Sequence, residues 1–346
     1  MNLLDRRISV APMMDWTDRH CRFFLRGFAP DVLLYTEMIT AAAILRGNRA
    51  RLLDFHPEEH PVALQLGGSD PQELAAAARC GEAAGYDEIN LNCGCPSDRV
   101  RSGTFGACLM LEPERVADCV VAMRAAVRVP VTVKMRIGVI EGSGASAAKA
   151  CARFDETDQE SLLRFARGVH GAGCEVLIVH ARKAVLGGLS PKANREVPPL
   201  RYDVVRELKS LLPATSIILN GGMRHRDDVL EALSWCDGVM LGREAYHRPY
   251  LLAELSAQLH PNAPTLAPSR TQLLERMAGY ADEQMRRGEH LASITRHMLG
   301  LCAGEPGARE YRRLLSEGAR AVPVDAARLL RHAAALLHAV PRAGAP

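Results

Sequence analysis

Eight short, nearly unbroken apolar runs, each followed by a stretch of helical periodicity, constrain this chain more than any other feature. The runs are Ile8–Met13, Leu33–Met38, Val62–Leu66, Glu88–Asn92, Val131–Arg136, Val176–His180, Ile217–Asn220 and Gly238–Leu241. Amphipathic patterns fall at Pro71–Ala84, Pro113–Ala126, Ser161–Gly171, Tyr202–Leu212 and Arg226–Leu233. Apolar strands alternating with helices describe a parallel sheet covered on both faces. Eight such units match the length of a closed (β/α)8 TIM barrel. An open doubly wound sheet would need a glycine-rich fingerprint after an early strand, and the first turn reads Ala11-Pro12-Met13-Met14-Asp15 instead. Polar or reactive residues recur at strand C-terminal ends: Glu37, Gln65, Asn92, Lys134, Arg136, His180, Asn220 and Arg243. In a barrel those ends converge on one mouth, where active sites form.

With 346 residues, 48% hydrophobic and 24% charged, the chain has material for a barrel and a second, smaller domain. The expected division is a barrel over 1–260, a proline-rich linker at 261–268 and a small helical bundle over 269–340. Ser269 is suited to cap the first tail helix, and further helices are expected at Leu291–Cys302, Ala308–Leu315 and after Val324. From Arg270 onward there are twelve arginines and no lysine against eight carboxylates, +4 on a chain whose total is +3. That asymmetry suits nucleic acid and equally a solvated helical face. No apolar stretch is long enough to span a membrane, and the first residues lack signal-peptide character, so a cytoplasmic location is expected. The ten cysteines are scattered without zinc-ligand spacing, and no metal site is expected. The long small-residue-rich segment 138–160 reads as a mobile excursion at the barrel mouth, either a lid or a neutral insertion.

Two constellations carry chemistry. Strand seven ends in Asn220-Gly221-Gly222 and strand eight in Gly242-Arg243, the two places where a barrel binds phosphate. Strand four runs into Asn92-Cys93-Gly94-Cys95-Pro96, which holds the Cys95 thiol over the mouth. Lys134, Arg136, His180 and Arg182 enter from other strands and make a basic pocket, or else pair off structurally. The residues alone thus indicate a phosphate-containing cofactor and a candidate acid, without naming a reaction.

The chain resembles the tRNA-dihydrouridine synthases, in particular the bacterial subgroup acting on D-loop uridines 20 and 20a. The resemblance rests on Ala11-Pro12-Met13-Met14-Asp15-Trp16-Thr17-Asp18, on Gln65-Leu66-Gly67-Gly68 and on Asn90-Leu91-Asn92-Cys93-Gly94-Cys95-Pro96-Ser97. Gly103 to Met110, Lys134-Met135-Arg136, Val179 to Ala184, Gly188 to Lys192, Asn220-Gly221-Gly222, Gly242-Arg243 and Thr295 to Gly300 extend it. It implies FMN in the barrel, NADPH as reductant and tRNA held partly by the helical domain. It places Pro12, Met13 and Met14 against the flavin, Gln65 and Lys134 at its ring edge, and His180 beside it. Asn220, Gly221, Gly222, Gly242 and Arg243 would take the phosphate. Cys95 matches the proton donor to uridine C5, hydride arriving at C6 from the flavin. Asn92 and Arg182 would lie near the uridine, Lys192 and Arg195 on tRNA, and Arg309 and Arg312 on tRNA from the helical side. The segment 138–160 departs from the family pattern. A monomer without an obligatory protein partner is expected. A barrel dehydrogenase for a free pyrimidine or small enone would share the pocket but leave the arginine-bearing tail unexplained, and a non-catalytic tRNA binder would not need Cys95, Lys134 and His180.

Overall fold

The computed structural model describes residues 4–97, 104–142, 144–261, 267–321 and 324–339. They form two compact units. The first takes the described residues through Met14 together with Leu33–Gly242; the second takes Asp15–Val32 and the described residues from Arg243 on.

The first unit is a closed, all-parallel eight-stranded barrel. Its strands are β1 (Ile8–Val10), β2 (Leu33–Tyr35), β3 (Val62–Gly67), β4 (Glu88–Cys93), β5 (Val131–Arg136), β6 (Val176–His180), β7 (Ser216–Asn220) and β8 (Gly238–Leu241). They pair in chain order, and β1 closes the ring on β8 with Ile8 opposite Val239 and Val10 opposite Leu241. Ala11, Leu33, Tyr35, Ala63, Val176, Ile178, Ile218 and Met240 form one buried cluster drawn from six strands or their ends. The first two strands stop earlier than the apolar runs suggest, at Val10 and Tyr35 rather than Met13 and Met38. Pro12 has no N–H to extend the ladder past β1.

Local signals set the helices. Asp70 caps Pro71–Ala84, and Gly85 ends that helix at φ +100°. The helix expected from Ser161 begins five residues earlier, at Glu156, because Asp155 and Asp158 form a capping box.

Expected as an excursion at the barrel mouth, the segment 138–160 takes up regular structure over most of its described residues. Val139–Glu141 pairs in parallel with Ala184–Leu186, and Gly144–Ala152 is helical. Ile140, Ala147, Cys151 and Val185 close a small core of their own, with Ala150 and Leu189 packed against it. The buried Lys183 ammonium donates to the Ala150 carbonyl at 3.0 Å and to Asp158 at 2.6 Å. A half-buried ion pair and an apolar cluster tie the segment down despite its small residues.

In the second unit, helix Arg19–Arg26 packs with Arg270–Arg286. Phe23 stacks on Tyr280 at 3.9 Å between centroids, His20 Nδ1 lies 2.8 Å from the Tyr280 hydroxyl, and Asp18 accepts from Arg296 at 2.7 Å. Ser269 caps Arg270–Arg286 with a capping box. Helices Ala308–Gly318 and Ala326–Ala339 follow. The run expected as one helix to Cys302 is helical only over Leu291–Thr295 and continues as a tight turn through Met298. Packing therefore divides the chain differently from the linear cut expected at 261–268, of which 262–266 lie outside the described residues. Among the described residues no helix is long and apolar enough to cross a membrane.

Candidate active site

Alternation along β4 sends Glu88, Asn90 and Asn92 to one face and Ile89, Leu91 and Cys93 to the other. On β5 the same parity selects Thr132, Lys134 and Arg136, with Asn90 opposite Thr132 and Asn92 opposite Lys134. Six polar side chains thereby line one face of two neighbouring strands, from Glu88 at the N-terminal end to Asn92 and Arg136 toward the C-terminal ends, where Cys95 follows.

The Cys95 turn is held from three directions. The Asn92 side-chain oxygen accepts from the backbone N–H of Gly94 at 3.1 Å and of Cys95 at 3.0 Å. Arg136 Nε donates to the Gly94 carbonyl at 3.1 Å, and Ala107 N–H donates to the Cys95 carbonyl at 2.9 Å. Cys95 itself is half-buried, its sulfur 3.6 Å from the Ser97 hydroxyl.

Arg136 does not behave as a pocket cation. Besides Gly94, its guanidinium donates to the carbonyls of Lys183 at 3.2 Å and Asn194 at 3.0 Å, so it clamps three loops. Burial lowers its pKa to about 10, with Cys95 opposing and Arg195 adding to the shift. Lys134 donates to the Asn220 side-chain oxygen at 3.0 Å. Burial, then the Arg136 charge, brings the Lys134 ammonium down to about 7, partly offset by Cys95. The same causes, burial first and then Arg136 and Lys134, hold His180 well below its ordinary range, so the imidazole is neutral.

Past β7, Gly221 and Gly222 adopt φ of +112° and +78°. A β-carbon on Gly221 would lie 2.6 Å from the His180 ring, and one on Gly222 2.4 Å from Leu200. Both positions therefore require glycine, and they leave the backbone open for close approach. The Tyr202 hydroxyl fixes this turn by donating to the Gly221 carbonyl at 2.7 Å. Sequence reasoning did not single out Tyr202; nothing in its helical surroundings marks it.

Gln65 is buried on β3, donating to Asn90 at 2.7 Å and accepting from Asn92 at 2.7 Å. Past β1, Pro12 is half-buried, Met13 packs on the barrel's interior cluster and Met14 is 55% exposed. Gly242 ends the barrel unit directly after β8, and Arg243 opens helix Arg243–His247. Arg182 donates to the Glu196 carbonyl at 3.3 Å and to that of Pro198. Lys192 and Arg195 are exposed on the following loop, which the buried Asn194 staples to both backbone groups of Val185. Arg309 and Arg312 are exposed on helix Ala308–Gly318, which belongs to the second unit. Among the described residues no group of three or more His, Cys, Asp or Glu is placed to hold a metal ion.

The family model "Dihydrouridine synthase (Dus)" matches residues 9–337. This chain belongs to the dihydrouridine synthase family. Among its relatives, a tRNA-dihydrouridine(20/20a) synthase of Pseudomonas syringae pv. tomato is 54% identical over 314 residues, covering 90% of this chain and 89% of that protein. Proteins of the same name from Synechocystis sp. and Vibrio cholerae are 53% and 50% identical, each covering 90% of this chain and 88% and 91% of their own. Among solved structures, a 2-naphthoyl-CoA reductase complex superposes with a TM-score of 0.54 at 12% identity. It covers 73% of this chain, which spans 50% of that one, and the likeness is one of fold. This dihydrouridine synthase is thus an oxidoreductase built on a parallel barrel.

Proposed function

We propose that this enzyme reduces the C5–C6 bond of D-loop uridines 20 and 20a in tRNA, using FMN held in the barrel and NADPH as electron source. The convergence of a thiol on a backbone-clamped turn, a desolvated lysine and a glycine-only turn on the strand ends carries this reading. The donor set fits an anionic, phosphate-bearing cofactor. Lys134 and His180 are both perturbed by burial among cations, which an anionic group would relieve. The turn at Gly221 and Gly222 offers backbone N–H groups at a place no side chain can occupy.

In this reading Asn220, Gly221, Gly222, Gly242 and Arg243 take the phosphate, Gln65 and Lys134 the ring edge, and His180, Pro12, Met13 and Met14 the remaining contacts. Hydride chemistry at the pyrimidine is what a bound flavin supplies. Cys95 holds the proton destined for uridine C5, on a sulfur whose position the Asn92-capped turn sets. Asn92 and Arg182 face the uridine and stabilise negative charge developing on its carbonyl system. The base must leave its stack to reach them, which costs a few kcal/mol. Phosphate contacts from Lys192, Arg195, Arg309 and Arg312, the last two on the helical domain, supply the compensating affinity. The enzyme acts as a cytoplasmic monomer.

The test is twofold. Purified protein should absorb at about 450 nm, the band of a bound flavin. Nucleotide-resolution mapping in tRNA from cells lacking the gene should show positions 20 and 20a unmodified, and modified again when it is restored. Colourless protein with tRNA modification unchanged by the gene would overturn the reading.

A further inference from the structure

The barrel interior carries an unbroken hydrogen-bonded chain from its N-terminal end to the Cys95 turn. At the bottom, Glu88 is fully buried and ion-paired with Arg6 at 2.6 Å. Its other oxygen accepts from the Tyr35 hydroxyl at 2.5 Å and the Thr132 hydroxyl at 2.7 Å. Thr132 then accepts from the Asn90 amide at 2.8 Å, Asn90 from the Gln65 amide at 2.7 Å, and Gln65 from the Asn92 amide at 2.7 Å. Asn92 completes the chain by accepting from Gly94 and Cys95 N–H.

The polarity of this chain is dictated, because an ionised carboxylate only accepts. The single Thr132 hydrogen points at Glu88, so its oxygen must accept, which turns the Asn90 amide nitrogen toward it. Each carboxamide then has one possible orientation, ending with the Asn92 oxygen facing the turn. Burial, with the Glu88 charge and hydrogen bond, holds the Tyr35 phenol well above its ordinary pKa, so it stays a donor. Reversing any one amide would set two donors or two acceptors face to face in a buried site.

We propose that Glu88 is a positioning residue for Cys95, acting through Thr132, Asn90, Gln65 and Asn92 to fix the amide orientations that hold the thiol's turn. The chain passes through Gln65 and Asn92, so the carboxylate at the barrel floor also sets which way those two amides present their remaining N–H groups. This rests on the assignment of Cys95 as proton donor.

Thr132→Val removes the link while keeping side-chain shape, and Thr132→Ser restores it. In ligand-free protein, amide hydrogen exchange at Gly94 and Cys95 should accelerate at least about tenfold in Thr132→Val and return to wild type in Thr132→Ser, an open turn being the cause. In flavin-loaded protein, single-turnover dihydrouridine formation should fall by about tenfold or more in Thr132→Val, with tRNA affinity unchanged and Thr132→Ser active. If Thr132→Val does not fold, Asn90→Asp, which turns an acceptor toward Thr132, should show the same pair of effects. Wild-type exchange and rate in whichever variant folds overturns the proposal. A wild-type enzyme that makes no dihydrouridine would instead overturn the functional reading, and the exchange measurement would still decide the positioning role of Glu88.

Discussion

The Lys134 ammonium and the Asn220 carboxamide meet at 3.0 Å across two non-adjacent barrel strands. The amide cannot rotate away, because its nitrogen donates to the Met240 carbonyl at 2.8 Å. Lys134 thus has one neutral acceptor to satisfy a cation that burial has already brought down to about 7. An anion arriving beside it favours the charged form.

That gives a pH dependence with a defined sign. Binding an anionic flavin should take up a proton at Lys134, so affinity should fall as pH rises above about 7, by up to about tenfold per pH unit. Titrating flavin-free protein with FMN from about pH 7 to 9 checks this, the FMN phosphate being fully ionised over most of that range. Lys134→Met should flatten the profile. Linkage also bears on stability without the ligand. The folded pKa lies below the ordinary 10.5, so the unfolded chain binds more protons between about 7 and 10.5, and Lys134 makes stability rise with pH across that window.

Cys95→Ala should leave flavin binding intact, since the backbone of the turn, not the thiol, is what Asn92 and Arg136 hold. Uridine reduction should drop by about 10²-fold or more, while NADPH oxidation by enzyme without tRNA persists. Near-normal tRNA turnover would remove Cys95 from the chemistry.

At the phosphate corner, Gly221→Ala should fail for two reasons that the structure separates. The left-handed backbone costs about 1–3 kcal/mol for a residue with a β-carbon, and that carbon would meet the His180 ring at 2.6 Å. Both lower stability, seen in thermal melting, and FMN affinity should fall with them. Arg243→Ala should weaken FMN by about 1.5–3 kcal/mol if the guanidinium makes a charge-assisted contact. Unchanged FMN affinity in Arg243→Ala would leave phosphate binding to the glycine N–H groups.

The barrel was legible because buried parallel strands write themselves as apolar runs, and six of the eight end within one residue of where those runs end. Asn92, Lys134 and Asn220 were legible for the same reason: a polar residue closing an apolar strand is conspicuous. What hydrogen-bonding partners decide was not. The sequence leaves Arg136 as either a pocket cation or a structural partner, and its three carbonyl acceptors decide for the second. The segment after Ile137 reads as loose because small residues crowd it, yet Lys183, distant in sequence, anchors it through Asp158. Nor does local sequence show that Phe23 stacks on Tyr280, a pairing that joins chain segments more than 250 residues apart.

That pairing changes how the helical domain must be tested. Deleting the chain from Thr265 would strip Tyr280, Leu273 and Arg276 from the helix that carries Phe23, exposing an apolar face rather than excising a domain cleanly. Point substitutions are the sounder probe. Arg309 and Arg312 are exposed one turn apart, while Tyr311 between them is buried, its hydroxyl donating to the Met298 carbonyl at 3.1 Å. Arg309→Ala with Arg312→Ala should therefore leave the fold unchanged. If both contact phosphates, tRNA affinity should fall and the slope of log affinity against log salt should lessen by about 1 to 2, through the counterions no longer released. NADPH oxidation, which needs no tRNA, should be unaffected in the same preparation. Wild-type affinity and slope would take these two arginines out of the interface and leave tRNA recognition to other surfaces, with Lys192 and Arg195 the next pair to substitute.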